Sequence, residues 1–118
     1  MDNKSLGSRG EEAAAVYLMR HGYEILERNF RVSTGEIDIV AVTGDTLVFA
    51  EVKTRRSDAC GQPAQAVDYR KQQKIVRTAE WYLRQRHEEM CPCRFDVLEV
   101  YPQGNTCRIR HIEGAFEA

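Results

Sequence analysis

The most informative run of hydrophobic and polar positions lies around a short turn. Ile37-Asp38-Ile39-Val40-Ala41-Val42 and Leu47-Val48-Phe49-Ala50-Glu51-Val52 are both rich in β-branched and apolar residues, and Thr43-Gly44-Asp45-Thr46 separates them. Gly-Asp reads as the two-residue loop of a tight hairpin with glycine at the first central position. With Gly44 and Asp45 in the loop, Thr43 faces Thr46, Val42 faces Leu47, Val40 faces Phe49, Asp38 faces Glu51 and Glu36 faces Lys53. Side chains alternate with period two, so these pairs share one face, and Ala41–Val48, Ile39–Ala50 and Ile37–Val52 share the other. One face is then apolar throughout. The other is apolar near the turn and charged at its far end. This is the pattern of a hairpin buried on both sides, with a polar site at one end.

The remaining elements follow from the same reading. A helix is expected from residue 8 or 10 to about residue 19, with Glu11 and Glu12 in its first turn and Gly22 as a stop signal. Its alanine run suits close packing on a sheet. Residues 23–32 read as extended, through Tyr23, Ile25, Phe30 and Val32. Residues 57–63 read as a loop broken by Asp58, Gly61 and Pro63. Residues 69–86 carry the clearest helical period: Ile75, Ala79, Tyr82 and Leu83 recur at i, i+4, i+7 and i+8, with Lys71, Lys74 and Arg77 near the border of that face. Residues 94–101 read as a strand, Pro102-Gln103-Gly104-Asn105 as a turn, and residues 107–112 as a final strand. The order α-β-β-β-α-β-β indicates an α/β fold, a mixed central β-sheet flanked by helices. The 118 residues suit one domain.

Asp38 opposite Glu51 requires a physical reason. Directly opposed residues have Cβ atoms ~5 Å apart, and like charges there are destabilising. Carboxylates among core residues also carry a desolvation cost. A divalent cation removes both objections. Mg²⁺ or Mn²⁺ takes oxygen ligands, commonly one or two carboxylates completed by water and substrate phosphate. Asp38 and Glu51 are therefore the expected metal ligands. Lys53, two residues after Glu51 on the same face, is placed to orient a water or to stabilise charge on an attacked phosphate. Glu36 and Glu11 are candidates for completing the ligand set, and Glu36 alternatively for anchoring Lys53. On the residues alone Glu11 reads first as a carboxylate favoured by a helix N-terminus and second as a site residue.

Asp, about a dozen residues, then Glu-x-Lys on a hairpin resembles the PD-(D/E)XK nuclease superfamily. The resemblance extends along the chain. Gly7-x-x-Gly10-Glu11-x-x-Ala14, Gly35-Glu36-Ile37-Asp38, Phe49-x-Glu51-Val52-Lys53-Thr54-Arg55, Lys71 with Ala79 and Tyr82-Leu83, and Arg94-Phe95-Asp96-Val97 occur in the order seen in the YraN-like family of endonuclease-like proteins. The proline of the superfamily's name is absent, and Ile37 stands in its place. The resemblance implies a restriction-endonuclease-like or Holliday-junction-resolvase-like fold. It also implies Mg²⁺- or Mn²⁺-dependent cleavage of DNA phosphodiester bonds, branched DNA included. A non-catalytic DNA-binding protein on the same fold and an RNA nuclease are the alternatives.

Charge distribution sharpens this. The net charge is −1, but residues 53–86 hold nine Lys/Arg against three Asp/Glu. Residues 1–52 hold five against nine, and residues 87–118 three against six. The basic excess starts at Lys53 and runs through Arg55, Arg56, Arg70, Lys71, Lys74 and Arg77. Clustered cations of this kind are the footprint of phosphate-backbone binding, and Arg55, Arg56, Lys71 and Lys74 are the candidate DNA contacts. The sequence leaves the oligomeric state open, a homodimer included.

No apolar run approaches the ~20 residues that span a membrane, and no signal-peptide core follows Met1, so the expected location is the cytoplasm. Cys60, Cys91, Cys93 and Cys107 fit that compartment as free thiols. Cys91-Pro92-Cys93 lacks zinc spacing. His21, His87 and His111 read as isolated surface or edge residues.

Overall fold

The computed structural model describes residues 6–55 and 67–118. The elements are α1 (Leu6–Arg20), β1 (Glu24–Val32), β2 (Gly35–Thr43), β3 (Thr46–Thr54), α2 (Tyr69–Gln85), β4 (Cys93–Gln103) and β5 (Thr106–Phe116). One five-stranded sheet runs in the order β1-β2-β3-β4-β5. Neighbours are antiparallel except β3 and β4, which are parallel and connected through α2. This is the mixed-sheet α/β architecture of the restriction-endonuclease-like fold.

Each helix covers one face of the sheet. Ala14, Ala15 and Leu18 of α1 pack with Ile39, Ala41, Ala50, Val52, Leu98 and Val100. On the other side Ile75, Val76, Ala79, Tyr82 and Leu83 of α2 pack with Ile37, Val40, Leu47, Phe49 and Phe95. β2 and β3 lose both faces to these two layers, which explains their near-continuous apolar sequence. Each large aliphatic or aromatic side chain buried this way contributes ~1.5–3 kcal/mol. Asp68 caps α2, its carboxylate accepting the Lys71 amide at 2.9 Å. The expected loop of residues 57–63, with its Cys60, lies outside the described residues, as does Arg56.

The small residues of α1 set how closely it approaches β3. A Cβ added at Gly10 would overlap Thr54 Oγ1 and crowd the rest of that short, β-branched side chain. Gly10→Ala is expected to push α1 off β3 and lower stability by ~1–3 kcal/mol. A thermal melt checks this, and an unchanged midpoint would mean the helix has room to shift freely.

The hairpin register is as expected from Thr43↔Thr46 to Ile39↔Ala50. Gly44 at φ 60° supplies the positive φ required at the first loop position. Beyond Ile39 the expectation needs correcting. Ile37 packs in the α2 layer, not with Ile39 and Ala41 under α1. The cause is a paired kink in β1 and β2. Arg28 faces Ile39 and reaches Glu12 of α1 at 3.0 Å, whereas Phe30 faces Ile37 and sits edge-on to Tyr82 of α2. Asn29 and Asp38 lie between these two pairs, and Asn29 has φ 54°, a conformation asparagine tolerates better than most residues. Simple alternation therefore fails at this step in both strands, and β1 carries a second irregularity between Ile25 and Glu27.

A polar network ties down the far edge. Asp96 is fully buried, and Arg94 grips it with Nε and Nη2, each at 2.8 Å. It also accepts the Gly114 amide at 3.0 Å and lies 2.7 Å from His111 Nε2. Burial pulls its carboxyl upward, but the hydrogen bonds from His111, Arg94 and Gly114 outweigh burial and hold it down at about 2. His111 is thus on the edge strand as expected but not isolated, since Tyr17 Oη is 3.2 Å from its Nδ1.

Candidate active site

The kink at Asp38 creates the site. Its carboxylate does not complete an ordinary cross-strand pair with Glu51. Instead Asp38 Oδ2 accepts the backbone N–H of Val52 at 2.8 Å, beyond Ile39↔Ala50, the last regular pair of β2 with β3. The side chain fills the opening between the two strands. Charges from both helix layers reach it there. Glu51 and Lys71 lie on the α2 side, and Glu11 approaches from α1. Burial, then the Glu51 charge, push the Asp38 carboxyl up to about 6, against the Val52 hydrogen bond and the Lys71 charge. Burial and the charge of Asp38 likewise raise Glu11, against a hydrogen bond from the Asn29 side chain.

Glu51 is 4% exposed and paired with Lys71, whose Nζ lies 2.7 Å from Glu51 Oε2. Burial disfavours the lysine's charge, but the hydrogen bond to Glu51 outweighs it and raises the Lys71 pKa. Lys53 is half-buried, two residues along β3 from Glu51, and its parallel neighbour on β4 is Glu99. Among the described residues Lys53 has no ion-pair partner. Glu36 does not face Lys53: it is exposed and bonded to Arg31 of β1 at 3.0 Å. The β1–β2 hairpin claims it because Arg31 and Glu36 are direct register partners.

The raised Asp38 has a measurable consequence. Its folded-state value lies above the unfolded one of 3.8, so the folded chain binds the extra proton between about pH 4 and pH 6. Stability therefore falls as pH rises through that window. Asp38→Asn removes the charge and keeps an acceptor for Val52. It is expected to stabilise the metal-free protein by ~1–3 kcal/mol at pH 7.5 and by nothing near pH 4. Thermal melts of both proteins at the two pH values check this. Equal differences at both would remove the electrostatic explanation.

The donor set is all carboxylate oxygen, which suits hard cations such as Mg²⁺ or Mn²⁺. Among the described residues no three carboxylate, imidazole or thiolate groups form a preassembled cage. Asp38 Oδ1 takes no hydrogen bond from the described residues. A closed structural metal site is thus a poor fit. A Mg²⁺-type ion held by Asp38 and Glu51, with water and substrate oxygens completing its shell, is a good one.

A cleft of about 540 Å³ is linked to these carboxylates through Lys71, and is lined by Arg31, Gly35, Glu36, Asp68, Arg70, Lys71 and Lys74 among others. Of the four cations expected to contact DNA, Lys71 and Lys74 line it. Arg55 does not: its Nη2 lies 3.2 Å from the fully buried Glu99, which Arg110 also approaches at 3.5 Å. Its first duty is neutralising that carboxylate. Arg56 lies outside the described residues. The cleft adds Arg31, which no sequence signal singled out, and Arg70, which belonged to the basic run.

The residues assembled at this opening fall within the span that one protein family matches. The model of the family described as "Uncharacterised protein family UPF0102" matches residues 10–100, a span that takes in Glu11, Glu36, Asp38, Glu51, Lys53, Lys71 and Lys74. The UPF0102 protein of Geobacter metallireducens is 52% identical over 118 residues, covering 99% of this chain and 96% of its own. That of Caldicellulosiruptor saccharolyticus is 48% identical over 101 residues, 86% of each chain. That of Syntrophotalea carbinolica is 47% identical over 113 residues, 96% of this chain and 92% of its own. With the site wholly inside the matched span and the likeness running nearly end to end, the chain belongs to the UPF0102, or YraN-like, family.

Proposed function

We propose that the protein is a metal-dependent endonuclease that hydrolyses DNA phosphodiester bonds. One observation carries this reading. Two buried carboxylates from adjacent strands, Asp38 and Glu51, meet at the split end of a sheet beside a cleft lined by Arg31, Arg70, Lys71 and Lys74. Acid groups placed there at a cost to stability, linked through Lys71 to a cleft that also carries Arg31, Arg70 and Lys74, suit phosphoryl chemistry. Bound Mg²⁺ or Mn²⁺ would supply Lewis acidity and a more acidic water.

The chain's own groups perform the rest. Asp38 and Glu51 hold the ion, with Asp38 fixed in orientation by the Val52 amide. Lys53, on the Glu51 face of β3, stabilises negative charge growing on the attacked phosphate or orients the water. Glu11 supports the ligand set from α1. Arg31, Arg70 and Lys74 hold the strand being cut. The Lys71–Glu51 ion pair favours a second reading, a catalytically silent DNA-binding protein, because it satisfies Glu51 without a metal.

No helix among the described residues is long and apolar enough to cross a membrane.

Binding can be tested without knowing the preferred substrate. Each phosphate contact releases condensed counterions and steepens the salt dependence of affinity. Arg70→Ala with Lys74→Ala is expected to weaken duplex binding and flatten its log–log salt slope by about one to two, while Mn²⁺ affinity stays at the wild-type value. Fluorescence anisotropy across a salt series measures this. An unchanged slope would leave the cleft as solvated surface.

A further inference from the structure

Glu51 has one ion-pair partner among the described residues, and that partner is partly exposed. Lys71 lies in the first turn of α2, its side chain is 44% exposed, and it also lines the basic cleft with Arg70 and Lys74. Its ammonium can therefore sit at either of two places, against Glu51 or among the cleft cations. The Glu51 side chain is only 5% exposed, and a buried carboxylate cannot be left without a cation cheaply. Lys71 can leave Glu51 only when another cation replaces it.

We propose that Lys71 is an exchangeable counter-cation: it holds Glu51 in the metal-free protein and, on entry of a divalent cation, moves into the cleft to contact substrate phosphate. This rests on the metal-dependent reading above and adds a coupling to it. Metal entry and phosphate-backbone binding become mutually favourable, because each stabilises the same displaced position of one side chain. By linkage, the factor by which metal tightens DNA binding equals the factor by which DNA tightens metal binding. The lysine also keeps the two acidic side chains from standing unbalanced when no metal is present.

Wild type, Lys71→Met and Asp38→Asn are titrated with Mn²⁺ by calorimetry at pH 8, after melts confirm that each is folded. Loss of the competing ammonium is expected to tighten Mn²⁺ binding by about tenfold, the equivalent of one partly buried ion pair. Duplex binding is then compared in Ca²⁺, an oxygen-ligated stand-in, and in chelator. The tightening that Ca²⁺ gives wild type is expected to shrink several-fold in Lys71→Met. Wild type also permits a direct reading of the movement. Acetylation followed by mass spectrometry is expected to modify Lys71 several-fold faster with Mg²⁺ than without, measured against Lys74 as internal control. Equal Mn²⁺ affinity in wild type and Lys71→Met, with Asp38→Asn not binding, would overturn the exchange and leave the metal site standing. No Mn²⁺ binding to any of the three would overturn both. Unchanged Lys71 acetylation on adding Mg²⁺ would overturn the movement, even if Lys71→Met fails to fold.

Discussion

Asp38→Asn and Glu51→Gln are each expected to weaken Mn²⁺ binding at least ~10–100-fold, since loss of a group merely supporting a metal ligand already costs that much, and to abolish DNA cleavage. Asp38→Asn makes the cleaner of the two. Its amide oxygen can still accept the Val52 N–H, and loss of the buried charge favours the folded state at neutral pH. A lost activity in a protein at least as stable as wild type cannot be assigned to unfolding. Glu51→Gln is different. It leaves the Lys71 ammonium without its partner, so stability must be measured beside affinity. Calorimetric titration of both variants checks the result. Wild-type Mn²⁺ affinity in both would remove the metal site.

Lys53→Ala is expected to lose ~10²–10³ in cleavage rate, the usual loss for one preorganised group facing developing charge, while keeping Mn²⁺ affinity and most DNA affinity. Its surroundings make this a separable test. Lys53 has no ion-pair partner among the described residues, whereas Glu51 is held by Lys71 and Glu99 by Arg55 and Arg110. A lysine that neutralised a buried carboxylate would cost stability when truncated. Lys53 is expected to cost little in a melt and much in turnover. Single-turnover cleavage with metal saturating, set beside thermal melts, distinguishes the two. Wild-type cleavage by Lys53→Ala would take the catalytic role from this residue while leaving the metal ligands untouched.

The architecture was legible because each signal was local. The Gly44-Asp45 loop fixed the hairpin register through Ile39↔Ala50, and the four apolar positions of α2 all became buried. The site was legible only up to the kink. Period-two alternation carried Asp38 opposite Glu51 and Glu36 opposite Lys53, but both strands change face at this step, where Asn29 is left-handed. Nothing in an isolated asparagine announces that. The same step sent Glu36 to Arg31 and aimed Asp38 at a backbone amide.

Lys71 was visible as part of a basic run. Its contact with Glu51 was not, because the two are 20 residues apart in sequence and meet only when α2 crosses the sheet. Arg55 shows the same limit from the other side. Its place in the basic run suggested a phosphate contact, but the fully buried Glu99, 44 positions away, had the prior need for a cation. His111 sits on an edge strand as expected, but its partners Asp96 and Tyr17 come from β4 and α1, beyond a local reading.

The most direct test of the account is cleavage itself. Wild type and Asp38→Asn are incubated with end-labelled duplex, single-stranded, flap and four-way-junction DNA, in Mg²⁺, in Mn²⁺ and in chelator. The expected result is cutting of at least one substrate by wild type with metal, none with chelator, and none by Asp38→Asn under any condition. Intact substrates throughout with wild-type protein, or equal cutting by Asp38→Asn, would contradict it.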